Sequence, residues 1–170
     1  HPVAHSFPTR RSSDLFDPHL IELQKEYAAQ LLTHRNPYTG REYRSEPALA
    51  IVELVNENSL TEAWFSDRLV GDNTSTSTST WEGISPYYAR QLDRRYNAWL
   101  RENLSDGELA KVRAEAGVAE GNLVPRLRSE QFAGAGDHRF RAEARFLMEL
   151  EEQFFVGMYD YLKDDLKAHP

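Results

Sequence analysis

The stretch from Ala48 to Leu60, A-L-A-I-V-E-L-V-N-E-N-S-L, constrains this chain more than any other segment. A β-branched apolar run stops there abruptly at Asn56, Glu57 and Asn58. Short apolar runs rich in Val and Ile, closed by polar breakers, read as strands buried on both faces. Strands of that kind belong to parallel sheets covered by helices, which makes the expected class α/β. One such strand cannot stand alone, because its N–H and C=O groups need neighbours on both sides. The expectation is a fragment of a larger α/β domain.

The rest of the chain reads as helix. Asp17-Pro18 supplies an N-cap and a first-turn proline, and Leu20, Leu23, Tyr27 and Leu31 follow at helical spacing. Asn36-Pro37-Tyr38-Thr39-Gly40 closes that helix with turn chemistry. Thr61 to Val70 reads as a short helix or ordered loop. Asp72 to Ser79, D-N-T-S-T-S-T-S, is an exposed polar loop, or else an edge strand. Ser85-Pro86 opens a helix with Tyr88, Leu92, Tyr96, Trp99 and Leu100 on one face. Ser105 with Glu108 forms a capping box for a helix reaching about Gly117. Gly121 to Gly136 is irregular. Asp137 then caps a long helix running to about Lys167, with Leu147, Leu150, Phe154, Met158 and Tyr161 near one stripe.

The N-terminus stands apart. His5 to Leu15, H-S-F-P-T-R-R-S-S-D-L, has no apolar periodicity and no signal-peptide core, and it looks like a translated sequencing adapter. Residues 1–15 are therefore read as a non-native tail, with the natural protein extending upstream, and residues 16–170 as the domain proper. Composition excludes several classes. A formal charge of −7, from 27 acidic and 20 basic residues, argues against a nucleic-acid partner. No apolar run reaches the ~20 residues of a membrane span. The absence of cysteine rules out disulfides and thiolate metal sites but leaves localisation, secretion included, open. Oligomeric state is equally open.

Side chains alternate along a strand, so Leu49, Ile51, Glu53, Val55 and Glu57 would share one face. In a (β/α)8 barrel, a carboxylate at the C-terminal end of a strand faces the active site. Glu57 would stand at that rim, and Glu53 one layer deeper, where it would need a cationic partner. Asn56 precedes Glu57, as a turn residue or a substrate contact. Trp64 and Trp81 flank the polar loop, either as platforms for a sugar ring or as core anchors. His34 sits at a helix C-terminus, where a partly positive ring is favourable. His138 has no partner at ligand spacing, so no metal is assigned. Glu149, Glu151 and Glu152 read as a solvated helix face.

L-I-E-L-Q-K-E-Y-A-A-Q-L-L-T-H-R-N-P-Y-T-G followed by P-A-L-A-I-V-E-L-V-N-E-N-S-L resembles clan A glycoside hydrolases, and more narrowly the cellulase-like and β-mannanase-like proteins related to glycoside hydrolase family 5. Downstream, Q-L-D-R-R-Y-N-A-W-L-R-E-N-L and F-L-M-E-L-E-E-Q-F-F-V-G-M-Y-D-Y-L resemble the insertion and helix such proteins place before their fifth strand. The resemblance implies a TIM-barrel fragment holding the helix before strand four, strand four and a helical insertion. It gives Glu57 the role of general acid/base, and Asn56 that of a hydrogen-bond partner of the sugar 2-hydroxyl. It implies hydrolysis of a β-linked polysaccharide or oligosaccharide by retaining double displacement, with a carbohydrate substrate and no cofactor.

The nucleophile that the clan carries on its seventh strand has no counterpart here, so the fragment alone is expected to be inactive. Glu53 is a poor substitute, lying ~7 Å back along the strand and pointing inward. Two rivals remain: a non-catalytic helical interaction module, and a degenerate barrel that binds sugar without cleaving it.

Overall fold

A computed structural model describes residues 12–74 and 83–169. Among these residues, five α-helices carry the fold: α1 Pro18–Leu32, α2 Leu60–Phe65, α3 Pro86–Asn103, α4 Asp106–Ala116 and α5 Asp137–Asp160. Their starts follow from residue chemistry. Asp17 caps α1 by accepting the Leu20 N–H at 3.0 Å, and Pro18 fills a position whose N–H would be unpaired in any case. Ser105 and Glu108 complete both halves of the capping box of α4, and Gly117 ends that helix in the left-handed region at φ 66°. After α1, Asn36 accepts the Tyr38 N–H through its side chain, and its carbonyl accepts the Gly40 N–H at 2.8 Å.

Helix α5 is the central element, packed against α2, α3 and α4. It presents Phe146, Leu147, Leu150, Phe154 and Met158 to the core, and α3 answers with Leu92, Tyr96, Trp99 and Leu100. Its N-terminus is capped from another helix rather than by Asp137. Glu115 of α4 accepts the Arg139 N–H at 2.7 Å and meets His138 Nδ1 at 2.7 Å. A Cβ on Gly136, the residue that precedes α5, would fall 2.1 Å from the Glu115 carboxyl carbon. Glycine there lets the cap close. A single π-helical turn, Tyr161–Asp165, follows α5.

Ser12–Leu15, the end of the adapter-like tail, forms a 3-10 turn against α1, α2 and α5. Leu15 and the adjoining Phe16 are both fully buried in the main core. Gln24 of α1 donates to the Asp14 carbonyl at 2.8 Å.

The expected barrel strand is overturned. No strand forms among the described residues, so the fold is all-helical rather than an α/β TIM-barrel fragment; the one β-type contact is an isolated bridge between Arg35 and Glu42. Ala50 to Glu57 enter no backbone-to-backbone hydrogen bond among the described residues, and Ile51 is 80% exposed. The physical reason lies in what the apolar side chains touch. Leu49, Val52 and Leu54 rest against a small cluster built on Leu32, Leu162 and Leu166, and Val55 packs on the main core. These contacts bury one side of the segment without a ladder, and the other side faces solvent.

Two outcomes check this arrangement. Ile51→Lys should change the urea-unfolding free energy by less than about 0.5 kcal/mol, as at an ordinary surface position, whereas a doubly buried strand would lose several times that. Glu115→Ala should cost about 1–2 kcal/mol through the lost α5 cap, read from the same unfolding curves.

Candidate functional site

The segment from Ala48 to Asn56 forms one wall of a cleft of about 680 Å³, and α1 forms the other. Tyr27, Leu31, Leu49 and Val52 make its sides largely apolar, and Asn56 and Glu53 bring polar groups to it. Asn56 and Glu57 are both exposed. Glu57 has φ 49°, in the left-handed region, which costs a residue with a Cβ about 1–3 kcal/mol. This conformation turns the chain out of the 48–56 segment toward Ser59, the N-cap of α2.

The other sequence-derived candidates are scattered. Glu53 is exposed, so it needs no buried cationic partner. Trp64 is 2% exposed, with its ring centroid 4.6 Å from Phe132 and 5.1 Å from Phe140. An indole sealed in this way offers no face to a sugar. Trp81 lies outside the described residues. His34 sits just past the end of α1 with its ring centroid 5.5 Å from that of Tyr43. No group of three or more metal-ligating side chains occurs among the described residues.

The acidic face of α5 is more than a solvated surface. Glu151 accepts the Leu60 N–H at 3.1 Å and the Ser59 hydroxyl at 3.2 Å, tying the end of the 48–59 segment to α5. Glu149 accepts the Trp99 indole N–H at 2.7 Å and pairs with Arg145 at 2.6 Å. These partners hold its carboxyl below the usual range against the opposing effect of partial burial. Glu152 alone of the three remains exposed without such partners.

Among the described residues, the carboxyl whose titration is most altered is Glu143, which sequence reasoning missed. Its side chain is fully buried, and Oε2 accepts the Leu127 N–H at 2.7 Å. Burial pushes its pKa up to about 7, against the downward pull of the Leu127 N–H, Arg126 and Arg139. The Trp64 indole N–H also pulls the carboxyl downward, and the buried Tyr96 hydroxyl has no hydrogen-bond partner among the described residues. The available signal was positional: Glu143 lies between Arg139 and Leu147 at i, i+4 steps, on the buried stripe of α5. Its titration resembles that of a general acid, but no solvent reaches it.

Against this geometry, the comparisons with known proteins show a partial likeness to enzymes that cleave polysaccharide. The chain is 29% identical over 84 residues to mannan endo-1,4-beta-mannosidase 2 of Arabidopsis thaliana, covering 49% of this chain and 17% of that protein. The same figures hold for mannan endo-1,4-beta-mannosidase 2 of Oryza sativa subsp. japonica. The matched stretch is thus about a sixth of either relative. No family model matches the chain. No solved structure matches it either.

Glu143 gives a pH dependence with a definite sign. Unfolded, it ionises near its ordinary value of 4.5, but folded it keeps its proton to about 7. The unfolded state therefore binds fewer protons between those values, and stability falls as pH rises through that window, by about 3 kcal/mol in all. Below 4.5 the contribution is fully present. Urea unfolding at pH 5 and pH 8 should show this loss, and Glu143→Gln should flatten it.

Proposed function

We propose that the chain is part of a glycoside hydrolase that cleaves a β-linked polysaccharide or oligosaccharide by retaining double displacement. The observation that carries this reading is the likeness to two plant mannan endo-1,4-beta-mannosidases. The solvent-facing Asn56-Glu57 pair at the end of the cleft segment is consistent with it. In this reading Glu57 protonates the leaving glycosidic oxygen and then, as a carboxylate, takes a proton from the attacking water. Asn56 donates a hydrogen bond to the 2-hydroxyl of the sugar. The attacking carboxylate must lie about 5–5.5 Å from Glu57 when substrate is bound. It is assigned to the part of the longer protein that this chain does not match. The reading includes no sugar platform at Trp64, because that ring is buried; Trp81 keeps that role as a proposal.

One observation favours a second reading, a helical interaction module. A buried cluster runs through α2, α3, α4 and α5 with no sheet among the described residues, as an independently folding helical unit requires. The two readings differ in the full-length protein. Glu57→Gln there should lower kcat/KM on β-1,4-mannan by about 10²–10⁴, the usual worth of a general acid/base. The thermal midpoint should move little, because the side chain is exposed. Unchanged hydrolysis by the variant would reject Glu57 as the acid, and a full-length protein without hydrolysis would favour the interaction module.

A further inference from the structure

Asn56 and Glu57 stand at one end of the segment that walls the cleft on α1, and the rest of that cleft carries three features of its own. Its walls are apolar and open. Tyr27, Ala28, Leu49 and Val52 are half-buried, while Leu31 and Ile51 stay exposed, at 43% and 80%. Contiguous apolar surface left open to solvent in this way marks an interaction site. Backbone groups on the same wall are unspent. Leu49 to Glu53 form neither helix nor turn, and from Ala50 to Glu57 no N–H or C=O joins other backbone among the described residues. The cleft is also acidic: Glu46 and Glu53 line it, and no Lys, Arg or His does.

We infer that this cleft docks an extended segment of a partner protein, one with apolar side chains on one face and Lys or Arg at its flanks. Free N–H and C=O groups take up a neighbouring strand, and the apolar walls receive its alternate side chains. The span sets the size. Along α1 the cleft runs from Gln24 to Leu32, a rise of about 12 Å at 1.5 Å per residue. An extended chain covers that distance in about four residues at ~3.3 Å each. Two of its side chains then face the walls, and the flanking cations answer the two carboxylates.

Other occupants fit less well. A partner helix has already spent its N–H and C=O groups internally and leaves those of the segment unanswered. A polysaccharide laid along the cleft would press hydroxyls against Leu31, Leu49 and Val52 without partners. Gln24 could not serve them as a donor, because its amide nitrogen is held by the Asp14 and Leu20 carbonyls at 2.8 and 3.3 Å. An acidic peptide or an anionic lipid surface would meet Glu46 and Glu53. The inference does not depend on the hydrolase reading.

The test uses the isotope-labelled 170-residue chain and two heptapeptides capped at both ends, Lys-Lys-Val-Thr-Val-Lys-Lys and Glu-Glu-Val-Thr-Val-Glu-Glu. In an NMR titration the basic peptide should shift the methyl signals of Leu31, Leu49 and Val52 and the backbone amides of residues 50–54. The acidic peptide should bind about tenfold more weakly. N-methylation of the three central amides of the basic peptide, which removes its strand donors, should weaken it about tenfold as well. Ile51→Lys should lower its affinity about tenfold and Glu53→Gln about threefold, with the circular-dichroism spectrum of the chain unchanged. No shift at millimolar basic peptide overturns the proposal. So does equal binding of the acidic peptide, undiminished binding of the N-methylated one, or displacement of the same methyl signals by β-1,4-mannotetraose. Loss or retention of hydrolysis in the full-length Glu57→Gln variant bears on the hydrolase reading and leaves this result unaffected.

Discussion

The contact on which most of this structure depends is the hydrogen bond from the Leu127 N–H to the buried carboxyl of Glu143. Helix α5 is the element against which α2, α3 and α4 all pack. The irregular stretch between α4 and α5 must lie close to it without leaving buried N–H groups unpaired. Glu143 serves one of those groups from α5, and Asn97 serves the other side from α3. The Asn97 side chain accepts the Val124 N–H at 2.8 Å and donates to the Val124 carbonyl at 2.9 Å. Arg139 adds a bond to the Pro125 carbonyl at 3.0 Å. Three polar side chains from two helices thus do for this segment what a regular ladder would do elsewhere. A buried carboxyl is a costly way to do it, and its raised pKa reflects that cost.

The two carboxylates of greatest interest occupy opposite environments. Glu57 is solvent-facing on a strained turn, and Glu143 is sealed in the core. A general acid requires both a raised pKa and access to substrate. In this chain the raised pKa belongs to the carboxyl that no substrate can reach, and the cleft beside Asn56 has mostly apolar walls.

Local punctuation was legible in the sequence almost residue by residue. Asp17-Pro18, Ser85-Pro86, Ser105 with Glu108, and Gly117 mark helix ends because caps and turns are decided within four residues. The amphipathic stripes of α3 and α5 were legible for the same reason. Ala48 to Asn58 was not. A run of Leu, Ile and Val states only that the segment will seek apolar contact, and both a sheet and a helical flank can supply it. The roles of Glu149 and Glu151 were hidden too, since their partners, Trp99 and Leu60, lie far away in sequence.

What the sequence by itself determined about this protein is where α1, α3 and α4 begin, which faces α3 and α5 bury, and that no cysteine chemistry is present. These follow from local geometry and composition. Only the tertiary structure decided that the strand-like segment lies unpaired on α1, that Trp64 is sealed among aromatic rings, and that Glu143 is the carboxyl driven toward neutrality. The physical reason is common to all three. Burial and pairing depend on which distant groups arrive beside a residue, and no local pattern states that.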